Sequence, residues 1–466
     1  MINNGQRYKK SVIATTLRLG KISIFVGKGN LKLINHMKRF ALLALSLIAT
    51  LASVTAQTFE EYFIDKTLRI DYTFLGNSTE QYVALRELSS TEHWWGRRVN
   101  LSDVPLEGNG DLTLYDATTG AVIYKTSFSS LFQEWITTPE AATLSKSFEF
   151  TLLVPMPQNS VIAELVLRDN TGKESKLRHT ISPEDRLIRD RSKQRALPYE
   201  YLHKGGDSKD AIDVVILAEG YTAEEMDVFM KDAQITTDEI LSYEPFKSHK
   251  EKFNFIAVYS ASTDTNVSVP QEEAWRDTAV GSNFMTFYMP RYLTSGEVYK
   301  MYDLATNIPC EHFIILANTD TYGGGGIFNS YTLTTAHHPS FRPVVVHEFG
   351  HSFGGLGDEY FYENGDSNDE IHSLSHEPWE PNITTLVDFE SKWADMVEPG
   401  IEIPSKVTAE RSKNYTVGVY EGGGYRSKGI YRPTDVCRMR DNVAERFCPV
   451  CERALERVIL HQTVSK

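Results

Sequence analysis

Cysteine is scarce in this chain: 466 residues hold four, Cys310, Cys437, Cys448 and Cys451. A dense disulfide framework is therefore excluded, and the fold must rest on apolar cores. Positive charge is in deficit, with 48 Lys and Arg against 62 Asp and Glu, a net charge of -14. An acidic body repels phosphate, which argues against nucleic acid and anionic membrane as partners. Outside one N-terminal stretch, no apolar run approaches the ~18 residues that cross a bilayer. No internal repeat and no low-complexity tract is present, so nothing marks long disordered spans. Aromatic residues, in contrast, are plentiful: 23 Tyr, 23 Phe and 6 Trp can fill the cores of two or three domains.

The first 56 residues carry nine Lys and Arg and no acid, so their removal takes the net charge from -14 to -23. Met37 opens a stretch with the layout of a secretory signal peptide. Lys38 and Arg39 form its basic start, Phe40 to Ala52 its apolar run, and Val54-Thr55-Ala56 a small-residue cleavage site. The expectation is a signal peptide over 37–56, an upstream extension over 1–36, and a soluble, secreted or periplasmic mature chain. An even number of cysteines in an exported chain favours disulfides. The Cys448-Pro-Val-Cys451 pair has only Cys437 nearby, short of the second pair a zinc knuckle needs, so a disulfide clamp near the C-terminus is expected.

Residues 57–190 alternate apolar and polar positions between Gly, Asn and Asp turns, with a hairpin signal at "DATTGAVIYKTSF". This pattern predicts an N-terminal all-β sandwich without a catalytic constellation. Ser182 to Asp210 is charged and polar and reads as a connector. From about 205 onward the texture changes. "AIDVVILAEGY" is a continuous apolar run, and a helical pattern starting at Thr222 follows it. "FNFIAVYSAS" and "EHFIILANTD" add further strands, so an α/β domain is predicted over 205–466. The acidic stretch Gly365–Glu370 lacks calcium-loop spacing and reads as a solvated loop. Four sequons begin at Asn77, Asn266, Asn382 and Asn414 and matter only where the source glycosylates.

"VVVHEFGHSFGGLGDEY", Val344 to Tyr360, carries the chemistry. On a helix over Arg342–Gly355, His347 and His351 lie one turn apart on one face, where two ring nitrogens reach one metal. Glu348, beside the first histidine, is placed to take a proton from an attacking water as general base. Gly354 and Gly355 end the helix and turn the chain. In the metzincin pattern HExxHxxGxxH the third ligand falls six residues after the second histidine, and here that position is Gly357. Asp358, one residue on, is the first candidate for third zinc ligand, because the glycine-rich turn can absorb one insertion and a carboxylate oxygen suits zinc. Glu359 is the second, and Glu363, Glu370, His372 and His376 remain open.

Together these stretches resemble the bacterial IgA-type zinc metallopeptidases, metzincin-like endopeptidases with an N-terminal β-domain. "IDVVILAEGYTAEEM", "GGGGIFNSYTLTTAHH", "VGVYEGGGYRSKGIYRPTDVCRMR" and "RFCPVC" carry the likeness beyond the HExxH motif, over roughly 205–466 and more loosely over 57–190. The resemblance implies one catalytic zinc ion held by His347, His351 and Asp358, with Glu348 as base and Met439 as the Met-turn beneath the ligands. The tyrosine that some metzincins place two residues after that methionine is Asp441 here, so stabilisation of transition-state charge falls mainly to zinc. Tyr425 and Tyr431 are candidate helpers. The Gly323–Gly326 run predicts a strand edge that pairs with an extended peptide, which favours an endopeptidase acting on proteins or peptides. The rival readings are an exported protein- or glycan-binding protein with a structural zinc site, and a zinc amidase acting on a non-peptide amide.

Overall fold

The computed structural model describes residues 58–362 and 371–464. The expected signal peptide, Glu363, Glu370 and the 365–370 loop lie outside the described residues.

The N-terminal part is built from two four-stranded sheets around one apolar core. The strands are β1 (Phe63–Gly76), β2 (Gln81–Thr91), β3 (Gly110–Asp116), β4 (Val122–Phe128), β5 (Lys146–Pro157), β6 (Val161–Arg168), β7 (Glu174–Ile181) and the short β8 (Arg189–Asp190). One sheet has the order β5-β1-β2-β8 and the other β4-β3-β6-β7. Long β1 pairs antiparallel with both β2 and β5. Its Leu68, Ile70, Tyr72 and Phe74 recur every second residue and are fully buried in the core. Its opposite face is also covered: Arg69 donates to Asp71 and to the carbonyl of Tyr299, which explains two buried charges on one strand. The predicted hairpin joins β3 to β4, with the Asp116 carboxylate accepting from the Thr118 and Thr119 amides and Gly120 at φ +74°. A short helix, α1 (Leu131–Trp135), follows β4 and starts at Ser130, whose hydroxyl accepts from Gln133 N–H.

The C-terminal part centres on a six-stranded sheet of order β13-β14-β12-β10-β11-β9. Its strands are β9 (Tyr199–Lys204), β10 (Ile212–Glu219), β11 (Phe253–Val258), β12 (His312–Ala317), β13 (Gly324–Ile327) and β14 (Tyr331–Thr335). β10 pairs in parallel with β11 and β12, and all eight of its residues are buried. A strand covered on both faces has no water-facing side, hence the unbroken apolar run in the sequence. Ile212, Val214 and Ile216 face one core, and Val215 and Leu217 face another. The first core is closed by three helices: α2 (Met226–Ile240), α3 (Phe341–Gly354) and α4 (Pro449–Thr463). Thr222 and Glu225 form a capping box just ahead of α2. β15 (Tyr420–Gly423) and β16 (Arg426–Arg432) make a separate hairpin.

Ser182–Asp210 is not a bare connector, because it contributes β8 to one sheet and β9 to the other. Both are edge strands with exposed, charged faces, and their composition hides them. Among the described residues no helix is long and apolar enough to cross a membrane.

Candidate metal centre and cleft

The helix that bears the two histidines is anchored by Val345, Val346, Phe349 and Phe353, all fully buried. It stops at Gly355, which adopts φ +61°. Gly355 N–H donates to His351 C=O at 2.9 Å and Leu356 N–H to Gly350 C=O at 3.2 Å, a reversal that only a left-handed residue permits. The chain then doubles back under its own last turn, and Asn382 holds it there. The Asn382 side chain accepts from Gly357 N–H at 2.7 Å and donates to Gly357 C=O at 2.9 Å. Asp358 is thereby delivered to the histidine face.

The geometry at that point is specific. His347 Nε2 lies 3.0 Å from His351 Nε2 and 3.0 Å from Asp358 Oδ1, and His351 Nε2 lies 3.4 Å from the same oxygen. His347 Nδ1 faces the Arg438 carbonyl at 3.0 Å, and His351 Nδ1 faces the Leu356 carbonyl at 2.5 Å. A carbonyl only accepts, so each Nδ1 carries its proton and each neutral ring turns a bare Nε2 lone pair inward. Asp358 Oδ1 is buried without a hydrogen-bond partner. Three lone pairs thus converge on one point with no proton between them, which calls for a cation. Ligand atoms on a tetrahedral ion at ~2 Å would sit about 3.3 Å apart, as these do. Without a metal, the same need is met by protonation. Burial disfavours charge on His351, yet the Asp358 carboxylate outweighs burial and pushes its pKa up to about 9. Burial likewise opposes the Asp358 charge, but the two histidines hold its pKa well below the ordinary value.

Tyr425 supports this arrangement from the β15–β16 hairpin. Its hydroxyl donates to Asp358 Oδ2, which leaves Oδ1 to face the histidines. Gly424 and Tyr425 both take positive φ, +52° and +67°, as a tight hairpin turn demands. For a tyrosine that backbone is strained and must be held by its surroundings. Met439 is fully buried under α3: a Cβ on Gly350 would lie 2.8 Å from its sulfur. Glu348 lies against the edge strand, where a Cβ on Gly324 would stand 2.8 Å from its Oε1. Burial raises the Glu348 pKa, and the nearby histidines oppose the rise.

The centre opens into a cleft of about 580 Å³. Its rim includes Arg291, which donates to the hydroxyls of Tyr360 at 3.1 Å and Tyr362 at 2.6 Å. The N-terminal part also reaches in. Glu134 of α1 lines the cleft, accepts from Tyr292 Oη at 2.5 Å and has its pKa raised by burial to about 7.

The other sequence candidates lie elsewhere. Glu359 points away from the histidines, into a buried cysteine cluster. His372 lines the cleft, 3.9 Å from Glu380, and His376 bonds Ser373 and Ser375, so neither joins the two-histidine face. Asp441 caps a turn through the Val443 and Ala444 amides. Tyr431 pairs with Thr384 away from the cleft lining. The β13 edge is only partly free: Gly324 N–H donates to Arg291 C=O and Gly324 C=O accepts from Leu293 N–H, both at 3.4 Å. Gly326, two residues on, faces the same way and makes no such bond among the described residues.

Comparison with known families agrees with the geometry. Residues 201–415 and 405–459 match the family model described as IgA Peptidase M64. The chain belongs to that family. Residues 58–178 match the model described as Peptidase M64 N-terminus, so the M64 peptidase has an N-terminal domain ahead of its M64 domain. No curated protein matches the chain. Membership makes it a peptidase of a metallopeptidase family, with protein as the class of substrate.

Proposed function

We propose that this M64 family member is a secreted zinc endopeptidase. The observation that carries the reading is the convergence of His347 Nε2, His351 Nε2 and Asp358 Oδ1 on one point, with Glu348 beside it. These three residues would hold the ion, and Met439 would pack beneath them in a metzincin-like arrangement. Zinc bound there would supply a Lewis acid for the scissile carbonyl and make water a nucleophile near neutral pH. Glu348 takes the proton from that water and returns it to the leaving amine; its raised pKa suits both roles. Tyr425 orients Asp358. The outward backbone groups of Gly326 would pair with an extended substrate, and the open cleft accepts a chain interior. The Lys38–Ala56 stretch supports export.

The test is cleavage mapping. The purified protein, incubated with a mixed protein and peptide library, should cut at internal bonds, and a chelator should abolish every cut. Chelator-resistant cuts, or trimming from termini alone, would overturn the reading.

A further inference from the structure

A second set of ligand atoms converges inside the core shared by α2, α3 and α4. Glu359, Cys437, Cys448 and Cys451 each bring one donor atom within 4.8 Å of all the others. All four residues are completely buried, and none lines the cleft. Glu359 is the anomaly. Its Oε1 accepts from Asn382 Nδ2 at 2.9 Å and faces Cys451 Sγ at 3.1 Å and Cys448 Sγ at 4.0 Å. Its Oε2 has no hydrogen-bond partner. Among the described residues no Lys, Arg or His forms an ion pair with it. Burial pushes its pKa up to about 8 although Arg432 opposes the rise, so such a group is either kept protonated or paired with a cation.

The sulfur geometry points the same way. Cys437 Sγ and Cys451 Sγ are 3.8 Å apart. Two sulfurs on a tetrahedral zinc with Zn–S of ~2.3 Å sit about 3.8 Å apart, whereas a disulfide needs ~2.05 Å. The expected disulfide clamp is therefore not what the fold builds: all four cysteines are free thiols. Any one disulfide among the three would strand the third thiol against Glu359. Local structure favours a thiolate at Cys448, where burial opposes the charge but hydrogen bonds from its neighbours hold the pKa well below the ordinary value, while burial pushes the Cys437 and Cys451 thiols up. Cys448 caps α4, Pro449 opens it and Cys451 sits in its first turn, where unpaired amides and the helix dipole favour negative charge. Cys448 N–H donates to Cys437 Sγ at 3.3 Å.

We propose that Glu359, Cys437, Cys448 and Cys451 bind a second zinc ion, a structural one, distinct from the His347–His351–Asp358 centre. Three soft sulfurs select zinc over calcium or magnesium, and four protein ligands leave no open position for chemistry. The ion would clasp the site from behind. Glu359 directly follows Asp358 and donates its N–H to Met439 C=O at 2.9 Å, while Cys437 lies two residues before Met439. One ion would thus tie the Asp358 loop, the Met439 turn and the start of α4 together.

Metal analysis and cobalt substitution test this independently of any peptidase activity. The wild-type protein should hold two zinc ions, and a His347→Ala/His351→Ala variant one. Cobalt-loaded protein should show the intense near-ultraviolet absorption of thiolate-to-cobalt charge transfer, retained in the double-histidine variant and lost in Cys451→Ser. If Cys451→Ser does not fold, wild-type measurements still decide. Thiol titration of the unfolded, unreduced chain should find four thiols, and a mercurial should release one zinc as it consumes three of them. A wild-type zinc content that falls to none in the double-histidine variant, no thiolate absorption, or two missing thiols would overturn the proposal. Loss of cleavage in the double-histidine variant with the thiolate signal intact would leave it standing.

Discussion

Replacing Tyr425 with Phe removes one oxygen and little else. The ring keeps its neighbours, with centroids 5.3 Å from Tyr360 and 6.4 Å from Tyr362. What is lost is the hydroxyl's bond to Asp358 Oδ2. A hydrogen bond to a charged group contributes about 1.5–3 kcal/mol, and loss of an outer-shell partner weakens metal binding about 10–100-fold. The two scales agree, since a factor of ten is ~1.4 kcal/mol. Tyr425→Phe should therefore raise the zinc dissociation constant of the histidine centre about 10–100-fold. Competition against a chromophoric chelator at fixed pH measures it. Metal-free stability should fall as well, by up to about 1.5–3 kcal/mol, because the same bond is made without the metal. In an Asp358→Ala background the same substitution should cost nothing further, as the partner is gone. An unchanged dissociation constant in Tyr425→Phe, or an equal loss in both backgrounds, would refute the assignment of Tyr425 as the residue that orients Asp358.

Asn382→Ala should destabilise the fold by about 3–6 kcal/mol in denaturant unfolding, since three bonds to Gly357 and Glu359 are lost in the core at ~1–2 kcal/mol each; a loss below about 1 kcal/mol would show that the loop does not depend on it. Gly326→Ala should cost about 1–3 kcal/mol and weaken cleavage, because its Cβ would stand 2.4 Å from the Glu348 carbonyl oxygen and 2.7 Å from His351 Cβ; unaltered melting would contradict that close approach. The pH dependence follows from His351, whose folded pKa of about 9 exceeds its ordinary 6.5. The pair with Asp358 stabilises the metal-free chain fully below about 6.5, and this is lost as pH rises through about 9. A metal replaces that proton, so the gap in melting temperature between zinc-loaded and metal-free protein should widen from about pH 6 to 9. A gap that narrows over that range would count against a metal at this histidine face.

The parts of the site that were legible in the sequence are contiguous. His347, Glu348 and His351 fall on one helix face by spacing alone, and the glycines after them announce the turn. The β10 run was legible because burial on both faces leaves no alternation to confuse it. Tyr425 could be named but not given a role, because it meets Asp358 from 67 residues away through a hairpin. Glu134 reaches the cleft only because the N-terminal core positions α1, which no local pattern reports. The cysteine cluster was misread for a chemical reason. Its fourth ligand is a glutamate beside another proposed ligand, while spacing rules look for paired cysteines and histidines. Asn382, the start of a sequon, is fully buried and commits its amide to Gly357 and Glu359, so it is a structural residue in the folded chain.

In the proposed function, a metal held by His347, His351 and Asp358 works with Glu348 to cut peptide bonds. Glu348→Gln tests it most directly, because it keeps the shape of the side chain and removes its capacity to take a proton. The variant should retain the wild-type zinc content of the histidine centre while internal cleavage of protein substrates falls by at least about 100-fold, the scale of general acid–base catalysis. Cleavage at the wild-type rate with zinc in place would contradict it.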